Sequence, residues 1–287
     1  MSPAGGESTD GARHMELNGI TDLEFASIRD FIFSKAGISL APSKKALVCS
    51  RLFKRLQVFN FHSYGEYFDL IKSGRNMAEQ QMAIDLLTTN ETYFFREPKH
   101  FDMLSTIAEQ ADRGKTFRVW SAACSTGEEV YTIAMTLAEL TRTARAPKWE
   151  VRGSDISTRV LEVARTGHYS FDRTEDIPAD YLKRYCLCGT GPYEGTLLID
   201  KSLREKTEFA QINLIEPLPT LVPFDVIFLR NVLIYFEAPV KRKVVGQLLD
   251  NLTPDGVLFI GMAESLSGLI DGLVSVGPGA YRKERRK

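Results

Sequence analysis

From Phe117 onward the chain alternates short apolar runs with amphipathic ones, and this rhythm limits the fold more than any other feature. "FRVWSAA" reads as a strand, "GEEVYTIAMTLAEL" as a helix, "WEVRGSDI" as a strand and "STRVLEVARTG" as a helix. The pattern returns later as "FDVIFLRN", "PVKRKVVGQLLDNL" and "GVLFIGMAE". Strands that take turns with helices predict a mostly parallel sheet with helices on its faces, an α/β fold. Residues of about 178–213 interrupt the rhythm. There the turn "GTGPYEG" and two β-rich runs predict a small antiparallel insertion, and "LVSVGPGAYRKERRK" predicts a closing hairpin with a basic tail.

The part before the alternation is different. Residues 20–85 show helical periodicity broken at Gly37, Gly65 and Gly74, which predicts a small helical domain. Net charge over the chain is -1, yet Pro42 to Gly65 holds no acid while Lys44, Lys45, Arg51, Lys54 and Arg55 are all present. With Leu47, Val48, Leu52 and Leu56 at helical spacing, this stretch predicts an amphipathic helix with one positive face. Residues 1–19, rich in Gly, Ser and charge, read as a disordered tail without the apolar core of a signal peptide. No apolar run approaches the ~20 residues that cross a bilayer, so no membrane insertion is expected. Four cysteines and four histidines lack zinc-type spacing, so no metal site is expected and the thiols read as reduced.

In an α/β sheet the ligand sits at the carboxyl ends of the strands, so the residues just after them carry the chemistry. "SAACSTGEE" follows the first strand with small residues and a turn glycine, but it is not a dinucleotide fingerprint. Glu128 and Glu129 at the start of the helix oppose a pyrophosphate and suit a cationic or hydroxyl-rich ligand. Asp155 ends the second strand, where an acid can accept ribose hydroxyls. "INLIE" and "FLRNVLIYF" add Asn213–Leu214 and Asn231–Val232, an amide for an adenine edge and an aliphatic cover for its face, with Tyr235 following. A nucleoside with a positive charge fits this set, and S-adenosylmethionine is the common cofactor of that description.

In this order, "TTNETYFFRE", "RVWSAACSTGEE", "SDI", "INL", "RNVLIYF" and "LTPDGVLFIG" resemble the chemotaxis receptor glutamate O-methyltransferases, the CheR family, over residues of about 20–283. The resemblance implies a Rossmann-like class I methyltransferase domain over residues 86–287, carrying the β-subdomain insertion and preceded by the helical domain. It also implies a cytoplasmic protein-glutamate O-methyltransferase that acts on the helical bundles of chemoreceptors. By the same resemblance Asn90, Thr92, Arg96, Glu129, Asp155, Asn213, Leu214, Asn231 and Val232 bind the cofactor, and Arg96 and Tyr235 serve the catalytic centre. The basic residues Lys44, Lys45, Arg51, Lys54 and Arg55 would meet the acidic substrate helices. The β-subdomain is the family's place for a receptor C-terminal peptide. Three positions depart from the pattern: Cys188 stands where tethered members have arginine, Val130 where proline is common, and Gly261-Met262-Ala263-Glu264 where a Gly-His-Ser-Glu pattern is usual. The overall charge and the lack of an Asn/Asp-Pro-Pro-aromatic motif argue against a nucleic-acid substrate.

Overall fold

A computed structural model describes residues 19–145 and 147–284. The expectations for the leading tail and the last basic residues fall on 1–18 and 285–287, outside the described residues. Four helices come first: α1 (Asp22–Ala36), α2 (Lys45–Phe59), α3 (Tyr64–Lys72) and α4 (Met77–Leu87). A reciprocal Thr21–Glu24 capping box starts α1. Gly37 ends it in the left-handed region, and a Cβ there would meet Ile215 Cγ2 at 2.7 Å. Ile28, Ile32, Leu52, Leu56, Tyr67 and Ile71 are fully buried and form the core of this bundle.

The sheet that follows is built from β1 (Phe117–Ala122), β2 (Trp149–Asp155), β6 (Thr207–Gln211), β7 (Phe224–Leu229), β8 (Leu252–Ile260), β9 (Leu273–Gly277) and β10 (Ala280–Lys283). Its order is β6-β2-β1-β7-β8-β10-β9, with parallel pairing up to β8 and β10 antiparallel to both neighbours. This is an open α/β sheet in which β10 alone runs against the other strands. Period-two alternation sorts the side chains between two layers. Val226, Phe228, Val257 and Phe259 join the layer with α5 (Lys99–Gln110), α6 (Glu128–Arg142) and α7 (Thr158–Thr166). Ile227, Leu229, Leu258 and Ile260 join the layer with α10 (Ala238–Asp250). Strands covered on both faces need apolar residues at every position, which is why they read as continuous runs.

Two features differ from the sequence reading. The antiparallel insertion begins earlier and is a sheet of β3 (His168–Ser170), β5 (Thr196–Ile199) and β4 (Cys186–Cys188), accompanied by α8 (Ala179–Tyr185) and α9 (Lys201–Arg204). The second β-rich run is β6, which leaves the insertion to pair in parallel with β2. Helix α5 has no counterpart among the elements read from sequence.

Candidate active site

Order in the sheet changes direction at β1, and a cleft of about 980 Å³, counting its open mouth, lies beyond the strand ends there. The turn from β1 into α6 builds its floor. Ala123 (φ 66°), Ser125 (φ 50°) and Gly127 (φ 94°) are all left-handed, and a Cβ on Gly127 would lie 2.8 Å from the Ala164 Cβ. Ser125 N donates to Asp155 Oδ2 (2.9 Å) and its hydroxyl to Asn90 O (2.7 Å), which ties "TTNETYFFRE" to the loop. Asn231 is also left-handed, so three of the seven non-glycine residues with positive φ among those described line this cleft, and two more, Phe95 and Glu97, flank its lining residue Arg96. Such conformations cost of order 1–3 kcal/mol each and persist where surrounding contacts over-determine them.

All nine residues expected at the cofactor, together with Tyr235, line this one cleft. Glu128 and Glu129 part company. Glu129 takes the Ser121 hydroxyl on Oε1 (2.6 Å) and Arg230 Nη1 on Oε2 (2.9 Å). Glu128 is fully buried away from the cleft, where it accepts the Thr126 hydroxyl (2.6 Å). Arg173 Nη2 lies 2.6 Å from its Oε1 without the alignment of a hydrogen bond. Burial pushes the Glu128 carboxyl up, and Thr126 and Arg173 hold back part of that rise. Asp155 is buried and is pinned through Oδ2 by Ser125 N and through Oδ1 by Ser157 N (2.9 Å). Burial raises its pKa against the pull of those N–H groups.

The amide of Asn213 is already engaged within the fold. Its Nδ2 donates to Lys35 O (2.8 Å) at the end of α1 and its Oδ1 accepts Ile215 N (3.3 Å), so it joins the helical bundle to the sheet. Leu214 is buried and Val232 half-buried, both on the wall. The Asn231 N–H donates to Glu264 Oε2 (3.0 Å). Asn90 donates to Thr88 Oγ1 (3.1 Å), and Thr92 O accepts from Arg173 (3.0 Å).

Arg96 lies half-buried over the Tyr93 ring (5.5 Å) and donates through Nη1 to Glu91 O (3.3 Å), with Nε and Nη2 given no protein partner among the described residues. Tyr235 ends a single 3-10 turn, Leu233–Tyr235, and its carbonyl accepts Ser39 N (2.9 Å) from the segment after α1. The basic residues of α2 lie outside the cleft and do not form one free face. Arg55 is forked onto buried Glu79 (2.8 Å to Oε1), Arg51 donates to Leu87 O and Thr88 O (3.0 Å each), and Lys45 pairs with Asp22 (2.8 Å). The helix lays its Arg51–Arg55 side against α4, which leaves Lys44 and Lys54 as its exposed cations.

Three acidic or basic groups here were missed by the sequence reading. Arg230, with a side chain only 2% exposed, reaches Glu129, Glu97 and the Arg96 carbonyl. Its only sequence signal is an arginine closing the apolar run "FDVIFLR". Glu97 accepts Arg230 Nε (3.2 Å) and Met262 N (3.1 Å). Burial pushes its carboxyl up, but Arg230 and the Met262 N–H outweigh this and leave it below the usual range. Glu264 gathers the N–H groups of Gly261 (2.7 Å), Asn231 (3.0 Å) and Ile234 (3.2 Å), and so knits two loops of the rim. Among the described residues no His/Cys/Asp/Glu group is arranged to hold a metal, and no helix is long and apolar enough to cross a membrane.

Comparison with known proteins agrees with this geometry. Residues 90–277 match the family model described as CheR methyltransferase, SAM binding domain, and residues 23–88 match CheR methyltransferase, all-alpha domain. The chain is 42% identical over 251 residues to the chemotaxis protein methyltransferase of Escherichia coli, covering 87% of each. It is 39% identical to that of Salmonella typhimurium (93% of this chain, 92% of the relative) and 41% identical to chemotaxis protein methyltransferase 2 of Pseudomonas aeruginosa (90% and 92%).

Proposed function

The chain belongs to the CheR methyltransferase family, and from that premise we propose how its cleft methylates glutamate side chains on the cytoplasmic helical bundles of chemoreceptors. The observation that carries the reading is the convergence, at one sheet switch point, of two acids, aliphatic walls and an arginine with donors to spare. This donor set fits S-adenosylmethionine. Glu129 at the head of α6 opposes a phosphate but accepts hydroxyl and ammonium groups. When bound, S-adenosylmethionine supplies an electrophilic methyl group on a sulfonium sulfur.

The chain's own residues do the rest. Asp155, held by two N–H groups and with lone-pair capacity left on each oxygen, takes the ribose hydroxyls. Ile156, Leu214 and Val232 cover the adenine. Glu129 takes the ammonium end, and Asn90 and Thr92 complete the cofactor side. A glutamate, with an ordinary pKa of ~4.3, arrives ionised and needs no general base. Arg96 holds its carboxylate through the unpaired guanidinium donors, and the Tyr235 hydroxyl orients it. Because charge is neutralised in the transfer, alignment and exclusion of water dominate, and alignment supplies up to ~7–11 kcal/mol in the best intramolecular analogues.

The helical part, residues 20–85, serves as the receptor-facing unit. Lys44 and Lys54 remain available to steer acidic helices, while Arg51 and Arg55 act mainly within the fold. In the small sheet, β4 is an edge strand with Leu187 exposed, which suits strand addition by a receptor C-terminal peptide. Replacing Arg96 with Ala tests the assignment. Cofactor affinity should stay within about fivefold while turnover falls at least ~100-fold, and near-normal turnover would remove Arg96 from the mechanism.

A further inference from the structure

The guanidinium of Arg230 donates four hydrogen bonds to three partners. It stands at the end of β7 with its side chain 2% exposed, flanked by the rings of Phe101 (5.5 Å) and Phe228 (6.0 Å). Nη1 donates to Glu129 Oε2 (2.9 Å), Nε and Nη2 donate to Glu97 Oε2 (3.2 and 2.9 Å), and Nη2 also reaches the carbonyl of Arg96. The fork therefore spans the cofactor side and the substrate side of the cleft. We propose that Arg230 is a positioning residue that locks the cofactor carboxylate Glu129 and the substrate arginine Arg96 into one rigid unit, an inference that rests on the roles given to those two residues above.

Three observations support this role. Glu129 has each oxygen assigned, Oε1 to Ser121 and Oε2 to Arg230, so its orientation is fixed before any ligand enters. Arg96 lies between Phe95 and Glu97, both at positive φ, and the grip on its carbonyl and on Glu97 holds that backbone. Charge is the third. Glu129 and Glu97 put two carboxylates close to Arg96, and the buried Arg230 cation paired with both offsets the repulsion an incoming carboxylate would meet. Lysine would keep the charge but not the planar fork, so it cannot reach all three partners at once.

The test compares full-length wild type with Arg230→Lys, Arg230→Gln and Glu97→Gln. Its readouts are transfer of labelled methyl to receptor-bearing membrane vesicles, S-adenosylhomocysteine affinity by calorimetry, and melting temperature. Arg230→Lys should bind S-adenosylhomocysteine within about threefold of wild type yet lose kcat by ~30-fold or more, because small misplacements at a reacting centre cost up to ~100-fold. Glu97→Gln should follow the same pattern, and Arg230→Gln should also weaken binding by roughly tenfold or more. Arg230→Lys or Glu97→Gln with wild-type kcat would overturn the proposal, as would equal losses in affinity and kcat. These two variants decide the matter even if Arg230→Gln does not fold. If wild type itself transfers no methyl, the functional reading fails, while the affinity order of wild type, Arg230→Lys and Arg230→Gln still decides whether Arg230 orients Glu129.

Discussion

Asp85 offers a sharp test of how the helical bundle supports the cofactor cleft. It is buried on α4, and its carboxylate accepts Thr158 N (3.1 Å), the Thr158 hydroxyl (2.8 Å), Arg159 N (3.3 Å) and Gln81 Nε2 (2.7 Å). An acid from the bundle thus caps α7, whose own N-cap Ser157 makes no side-chain cap. Gln81 also donates to Ile156 O (3.0 Å), beside Asp155 on the cleft wall. Replacing Asp85 with Ala orphans two N–H groups of the first turn. A cap is worth about 0.5–2 kcal/mol, and a hydrogen bond to a charged group about 1.5–3, so with incomplete additivity the loss should be about 2–4 kcal/mol. In a chain of this size that lowers the melting temperature by about 3–7 °C. Loosening the Ile156 corner should also weaken S-adenosylhomocysteine roughly tenfold, equivalent to ~1.4 kcal/mol. Asp85→Asn, which keeps one acceptor oxygen, should lose about half as much stability. Thermal melts followed by circular dichroism, with calorimetric titration, measure both effects. An alanine variant that melts within ~1 °C of wild type, against the expected cap loss, and binds normally would refute the coupling.

Other outcomes follow from single sites. Arg55→Ala leaves Glu79 buried with Tyr67 as its remaining side-chain partner and should cost about 2–4 kcal/mol in a denaturant titration, whereas an Arg55→Met/Glu79→Met double variant should recover most of it. His100 is buried beside Glu97 (3.4 Å) and Arg230, and burial first, then Arg230, lowers its pKa from 6.5. The unfolded chain therefore takes the proton first, and stability falls as pH drops through 6.5 at up to ~1.4 kcal/mol per pH unit. His100→Gln should flatten the melting temperature between pH 6.5 and 5; an unchanged slope would assign the effect elsewhere. Gly127→Ala forces a side chain into the left-handed region against Ala164 and should abolish measurable cofactor binding at micromolar protein. Methyl transfer to receptors should slow as ionic strength rises while S-adenosylhomocysteine affinity holds steady, as expected if Lys44 and Lys54 steer acidic helices.

Much of this architecture was legible in the sequence because strands buried on both faces leave little room for polar residues. Val226 to Leu229 and Val257 to Ile260 serve both layers, as strands covered by helices on each face require. The polar residues behind four of the strands could be placed for the same reason, since the sheet brings the ends of β1, β2, β6 and β7 to one cleft. Direction of pairing was not legible. Thr207–Gln211 alternates in a way that fits an antiparallel hairpin as well as the parallel edge position beside β2 that it takes. Helix α5 carries Phe101, Leu104 and Ala108 at helical spacing, a signal that was present but overshadowed by the aromatic motif before it. Side-chain partners across long separations were out of reach. Nothing near Asn213 announces Lys35 O, and nothing near Arg55 announces Glu79 as the reason it leaves the surface. Arg230 was hidden in the opposite way, as one charge at the end of a run read for its hydrophobicity.

Formation of carboxyl methyl esters on receptor glutamates is the reaction this cleft is proposed to carry out. Full-length protein incubated with tritiated S-adenosylmethionine and receptor-bearing membranes tests it directly, with the labelled receptor then treated with alkali. Label should appear on the receptor band and be released by alkali as volatile methanol, and Arg96→Ala should lose that signal. Label that survives alkali, or that enters nucleic acid in place of receptor, would contradict it.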